Sequence, residues 1–242
     1  MKASAAIGIK AKDLDKVVDA IYGRTPQRSR EDEATDIFGR LRASPPKQQR
    51  SLQTLNRILD AAERVLEDDG LEAATIPRIA RKAGVSVGVI YRRLPNKDAL
   101  IRAIYERYFW RVNEQNSMMM ATLNAANMPV EGILRALIRG SVETYRRKRK
   151  LVDALLQFNK THPDMKRRSG DISHASIAAL AACMLTQRDK IKHPDPEAAV
   201  RFAIVALGAI IRGFVVEDDD EDIPDDLEQQ LTRMMFAYLG VQ

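Results

Sequence analysis

The residues able to do covalent or metal chemistry are few and poorly placed for it. Histidines stand at His162, His174 and His193, 12 and 19 residues apart. No two therefore share a helical face at the i, i+3 or i+4 spacing that a metal pair uses. Cys183 is the single cysteine, and its neighbours Ala181, Ala182, Met184 and Leu185 suit a packed apolar thiol, not a reactive one. The sequence has no His-Glu-x-x-His, Gly-x-Ser-x-Gly, phosphate loop or paired cysteine ligands. No catalytic residue, metal site or cofactor is expected. The chemistry that remains is electrostatic. From Ala73 to Lys97 the chain carries six cations (Arg78, Arg81, Lys82, Arg92, Arg93, Lys97) and no acid, although 33 acids are mixed among 39 bases over the whole chain. A cationic face without acids on a small helical unit is built to lie against phosphates.

The elements that hold those cations follow from the spacing of apolar residues. Leu52, Leu55, Ile58, Leu59, Ala62, Val65 and Leu66 form one stripe, predicting a helix over Ser51–Asp69 that stops at Gly70. Thr75 caps the next helix, with Pro77 in its first turn and Ile76, Ile79, Ala80 and Ala83 inward. Gly84 can take positive φ in the turn Ala83-Gly-Val-Ser86, and Ser86 caps a short helix, Val87–Arg93, that ends before Pro95. Asn96 caps a fourth helix running through Tyr108 and Phe109. No useful period-2 alternation occurs. The rest reads as helices near 129–149, 150–160, 163–188, 195–216 and 224–239, Asp195 and Pro196 opening the fourth of these. The fold is expected to be all-α.

Bulk properties agree. The formal charge is +6 and the pI about 9.5, and Lys47 to Arg111 holds 13 bases against 8 acids. The longest uncharged apolar run, Phe202 to Ile211, is ten residues, well short of the ~20 that cross a bilayer. With one cysteine and no signal-like N-terminus, a cytoplasmic protein without a membrane partner is expected. Three regions are anticipated: an N-terminal extension over 1–46 with two amphipathic helices (around Leu14–Ile21 and Ala34–Leu41), a helix-turn-helix unit over 47–97, and a larger helical region over 98–242.

The run Arg57-Ile-Leu-Asp-Ala-Ala-Glu63, then Gly70, then Ile79-Ala-Arg-Lys-Ala-Gly-Val-Ser86, then Tyr91-Arg-Arg-Leu-Pro-Asn-Lys97 closely resembles the N-terminal domain of the tetracycline-repressor-like (TetR) family of transcriptional regulators. The resemblance spans about 50 residues, from Arg50 to roughly Ile101. In helix-turn-helix proteins the second helix enters the major groove by its N-terminal end. Here that end is Ser86, Val87, Gly88 and Val89. Gly88 lets the backbone approach closely, and the valines read only methyl groups or shape. Base hydrogen bonding thus falls mainly to Arg92 or Arg93, since arginine pairs with guanine in bidentate fashion. The resemblance assigns Tyr91 and Lys97 to phosphates, with Thr75 and Arg78 reaching the backbone from the preceding helix. Val89 and Arg93 depart from the family's frequent Thr and aromatic or His, so its base preferences do not transfer.

Ala203 to Ile211 is apolar around the whole helix and must be covered on every side. One face would enter the protomer's own core and the other a second copy. Phe202, Val205 and Ala209, with Leu227, Leu231, Met234, Met235 and Tyr238 on the last helix, are the expected dimerisation residues; the resemblance implies a four-helix bundle between protomers. It also implies an effector pocket, for which Met118, His162, His174 and Met184 are candidates. The function expected is a dimeric, sequence-specific regulator on an inverted-repeat DNA operator. It would act as a repressor released by a small apolar or amphipathic effector; a transcriptional activator or an architectural DNA-binding protein without effector is the alternative. The run Arg146-Arg-Lys-Arg-Lys150 reads as a solvated helix end complementing the dipole or as a second DNA contact, and Glu217–Asp222 as a solvated acidic loop.

Overall fold

A computed structural model describes residues 49–216 and 224–241. The two amphipathic segments before residue 47 and the acidic run Glu217–Asp222 lie outside them. The described residues form eight α-helices, one 3-10 turn (Arg188–Lys190) and no strand. In chain order these are α1 (Gln49–Ala73), α2 (Ile76–Ala83), α3 (Val87–Tyr91), α4 (Lys97–Ala125), α5 (Val130–Thr161), α6 (Pro163–Leu185), α7 (Pro196–Val216) and α8 (Leu227–Leu239).

Local chemistry sets the helix ends. In α1 the regular helix is interrupted at Gly70, whose φ of 79° and ψ of −174° are non-helical, and one further turn follows to Ala73. Gly84 ends α2 in the left-handed conformation (φ 64°), its N–H bonding back to the carbonyls of the last turn. Asn96 caps α4 as expected, its Oδ1 accepting from the Ala99 N–H at 2.7 Å. Asp195 does the same for α7 through the Ala198 N–H at 3.1 Å. Thr75 and Ser86 occupy their N-cap positions with extended backbone, but neither side chain bonds to its helix. The expected separate helices over 129–149 and 150–160 are one element broken by a kink at Lys148 (φ −118°, ψ 20°).

The helices belong to two compact units. The first holds residues 49–112 with Lys148–Ser169, and the second Asn113–Arg147 with residues 170–216 and 224–241. The units part inside α4, α5 and α6. In the first unit, Leu55, Ile58, Leu59 and Val65 of α1 are buried with Ile79, Ile90, Leu94, Leu100 and Ile104. The core of the second gathers Ile133, Leu137 and Ile138 of α5, Met184 of α6, Leu207 and Ile211 of α7, and Leu227, Leu231 and Met235 of α8.

Candidate nucleic-acid interface

Two short helices and a tight turn create the surface. Ile79 and Ala83 of α2 and Ile90 of α3 are buried, which turns the opposite sides of both helices outward. The turn is fastened from α1. Arg57 donates from Nη2 to the carbonyls of Ala83 (2.9 Å) and Gly84 (3.0 Å), satisfying the end of α2. That leaves Thr75, Arg81, Lys82, Ser86, Val87, Gly88, Tyr91 and Arg92 exposed, Tyr91 by 49%.

The cations do not all face solvent freely. Arg78 donates to Asp69 at 2.5 Å and Lys82 to Asp68 at 2.6 Å; the Lys82 bond holds the Asp68 carboxyl below its usual range. Lys97, half-buried, donates to the Leu71 carbonyl at 3.0 Å. Arg93 folds back on its own helix, bonding the Val89 carbonyl (3.1 Å) and Ser51 Oγ (3.2 Å). Arg81 and Arg92 make no hydrogen bond or ion pair to a described residue. Of the two arginines expected to read bases, Arg92 alone projects without a partner among the described residues.

The basic run on α5 is also engaged. Lys148 pairs with Glu67 at 3.0 Å, and Lys150 donates to the Asp68 carbonyl at 2.9 Å. One acidic turn of α1, Glu67-Asp68-Asp69, thus receives Lys148, Lys82 and Arg78 together.

The eight residues expected at a dimer contact separate into two sets. Phe202 (60% exposed), Val205 (49%), Met234 (43%) and Tyr238 (37%) lie on the outer side of α7 and α8 with exposed Ala209, the Phe202 and Tyr238 rings 5.4 Å apart. Leu227, Leu231 and Met235 are buried in the protomer's own core, because α8 repeats apolar residues every four positions on its inner side.

The four residues expected at an effector pocket are not brought together. Met118 and His174 are exposed, and Met184 is sealed in the core of the second unit. His162, in the first unit, stacks on Phe158 at 3.7 Å between centroids and bonds the Phe158 carbonyl at 2.9 Å. A cleft of about 530 Å³ lies within the second unit, between α4 and α6. Its walls are asparagines, Ser117 and Met120 of α4 and small, apolar and hydroxyl residues between Ala175 and Thr186. Among the described residues no cluster suited to a metal ion occurs, and no helix is long and apolar enough to cross a membrane.

A helix pair buried on one side and joined through a left-handed glycine, presenting an exposed edge of α3 beside arginines without a partner among the described residues, has the form of a helix-turn-helix DNA-binding unit. Residues 58–104 match the family model for bacterial regulatory proteins of the tetR family, and residues 129–239 match that for the tetracyclin repressor-like C-terminal domain, together about two thirds of the chain. The chain belongs to the TetR family of transcriptional regulators. It is similar to the HTH-type transcriptional regulator BetI 1 of Chromohalobacter salexigens, 29% identical over 114 residues. That match takes in 46% of this chain but only 55% of that protein. It is also similar to BetI of Cronobacter sakazakii, 25% identical over 161 residues, 65% of this chain and 75% of that one. A crystal structure of a candidate TetR-family regulator from Mesorhizobium loti superposes with a TM-score of 0.67 at 21% identity, covering 80% of this chain and 98% of that one. A TetR-family regulator from Streptomyces coelicolor gives 0.60 at 16% identity, over 90% and 97%. These two likenesses speak for the fold alone.

Proposed function

We propose that the protein works as a homodimer on an inverted-repeat DNA operator, each protomer placing α3 in the major groove, and that it represses transcription until a small molecule releases it. The observation that carries this reading is the outward edge of α3. Ser86, Val87, Gly88 and Arg92 are exposed there, on a helix whose other side is anchored by Ile90. Arg92 is the base reader in this scheme. Tyr91, Arg81 and the uncapped first turns behind Thr75 and Ser86 meet phosphates, since free N–H groups at a helix start attract anions. Arg78 and Lys97 can join them by leaving the α1 acceptors they now hold. The exposed face of α7 and α8 supplies the dimer contact, and a two-fold operator mirrors a two-fold protein. Work on an operator places the protein in the cytoplasm.

The test begins with DNA flanking the protein's own gene, footprinted for a protected inverted repeat. Arg92→Ala should then cost about 1–3 kcal/mol on the operator and relax preference at one base position per half-site. Arg93→Ala should leave that preference unchanged and act on stability, because its guanidinium is bound to Val89 and Ser51. Equal losses on operator and random DNA for Arg92→Ala would remove its base-reading role.

A further inference from the structure

The geometry points to an uncharged, elongated effector with a hydrogen-bonding group at each end as the occupant of the cleft between α4 and α6. This deepens the effector reading above and rests on it.

Two hydrogen-bonded pairs join the helices along the cleft. Near one end Ser176 Oγ donates to Asn113 Oδ1 at 2.5 Å, and near the other Cys183 Sγ donates to Asn124 Oδ1 at 3.1 Å. Burial pushes the Cys183 thiol above its usual range, so it keeps its proton and remains a donor. In both pairs the amide oxygen is the group used. The amide N–H groups of Asn113 and Asn124 make no hydrogen bond to a described residue, so each end of the cleft offers donors to an acceptor oxygen. Thr186 Oγ1 donates to the Cys183 carbonyl at 2.7 Å and keeps its lone pairs at the Asn124 end. The two asparagines stand eleven positions apart on α4, about 16 Å at the usual helical rise, and their partners on α6 seven positions apart, about 10 Å. Asn116 and Ser117 extend the polar end at Asn113, and beyond them the lining turns apolar, with Met120, Ala179 and Leu180.

Charge decides the ligand class. The lining contains no Asp, Glu, Lys or Arg. An ionic group entering it would lose hydration without a counter-charge, whereas a hydroxyl, ester or amide exchanges water for the free amide donors. The volume suits a small elongated molecule.

Three compounds of one chain length separate the possibilities: decanediol (a hydroxyl at each end), sebacate (a carboxylate at each end) and decanediamine (an ammonium at each end). Titration calorimetry on the full chain should show decanediol binding at least tenfold more tightly than either charged analogue. Asn124→Leu, at an exposed position that the fold tolerates, should weaken decanediol at least tenfold. Asn124→Asp should shift preference toward decanediamine. Tighter binding of sebacate or decanediamine to the wild-type chain, or no binding of decanediol at millimolar concentration, overturns the inference. Gel retardation with the operator separates the two readings. Decanediol that binds but leaves the DNA complex intact removes the effector role and keeps the ligand class. Release by a charged compound that displaces decanediol does the reverse.

Discussion

Arg107→Ala will destabilise the first unit by about 3–5 kcal/mol, enough to leave much of it unfolded at physiological temperature. The Arg107 side chain is only 3% exposed. It pairs with Asp60 and, through Nε at 3.3 Å, with Glu63, which is itself 8% exposed and shared with Arg111 at 3.0 Å. These groups tie α1 to α4 beneath the helix-turn-helix. Removing the central guanidinium leaves a buried carboxylate short of a partner, and the desolvation cost of that charge is then no longer offset. Urea melts of Arg107→Ala beside Glu63→Met with Arg107→Met separate charge from packing. The double variant removes both charges and should recover most of the lost stability. A single variant that melts like the wild type would show that the network contributes little.

Phe202→Glu will convert the protein to monomers and reduce operator affinity at least about a hundredfold, since base contacts at about 1–3 kcal/mol each are lost with the second half-site. The side chain is 60% exposed in the protomer, so the fold has no need of it. Sedimentation and circular dichroism should therefore report a folded monomer. Leu231→Glu is the contrast: at 2% exposure it strikes the protomer's own core and should lower the melting temperature steeply. A Phe202→Glu variant that still sediments as a dimer would place the contact elsewhere.

Much of the scaffold could be read from the sequence because its signals are local. Gly84, Pro77, Asn96 and Asp195 act on backbone within a few residues, and the apolar stripe of α1 announces itself by period. What stayed hidden depends on partners distant in the chain. The window from Ala73 to Lys97 has no acid of its own, yet Asp68 and Asp69, just before it, fold onto Lys82 and Arg78. The Arg146–Lys150 run finds acceptors some eighty residues earlier. Arg57 grips backbone carbonyls, a role that no side-chain pattern displays. On α8, residue type could not say which apolar side chains face inward; register against the core does, and it takes Leu227, Leu231 and Met235 from the outer face. Chemistry alone singles out Met118, His162, His174 and Met184, while the cleft is lined by asparagines, hydroxyls and small residues with Met120 and Leu180.

The ion pairs that Arg78 and Lys82 make with Asp69 and Asp68 bear on how the protein responds to ionic strength. Cations already neutralised inside a protomer contribute little counterion release when DNA arrives, unless they first break their own bonds. In the proposed dimer the cations of this face without an acid partner among the described residues are Arg81, Arg92, Arg93 and Lys97 on each copy, so the log–log salt slope should not exceed about seven, against about eleven if all six cations counted. The proposed regulator should therefore lose less affinity as salt rises than its bare count of cations implies.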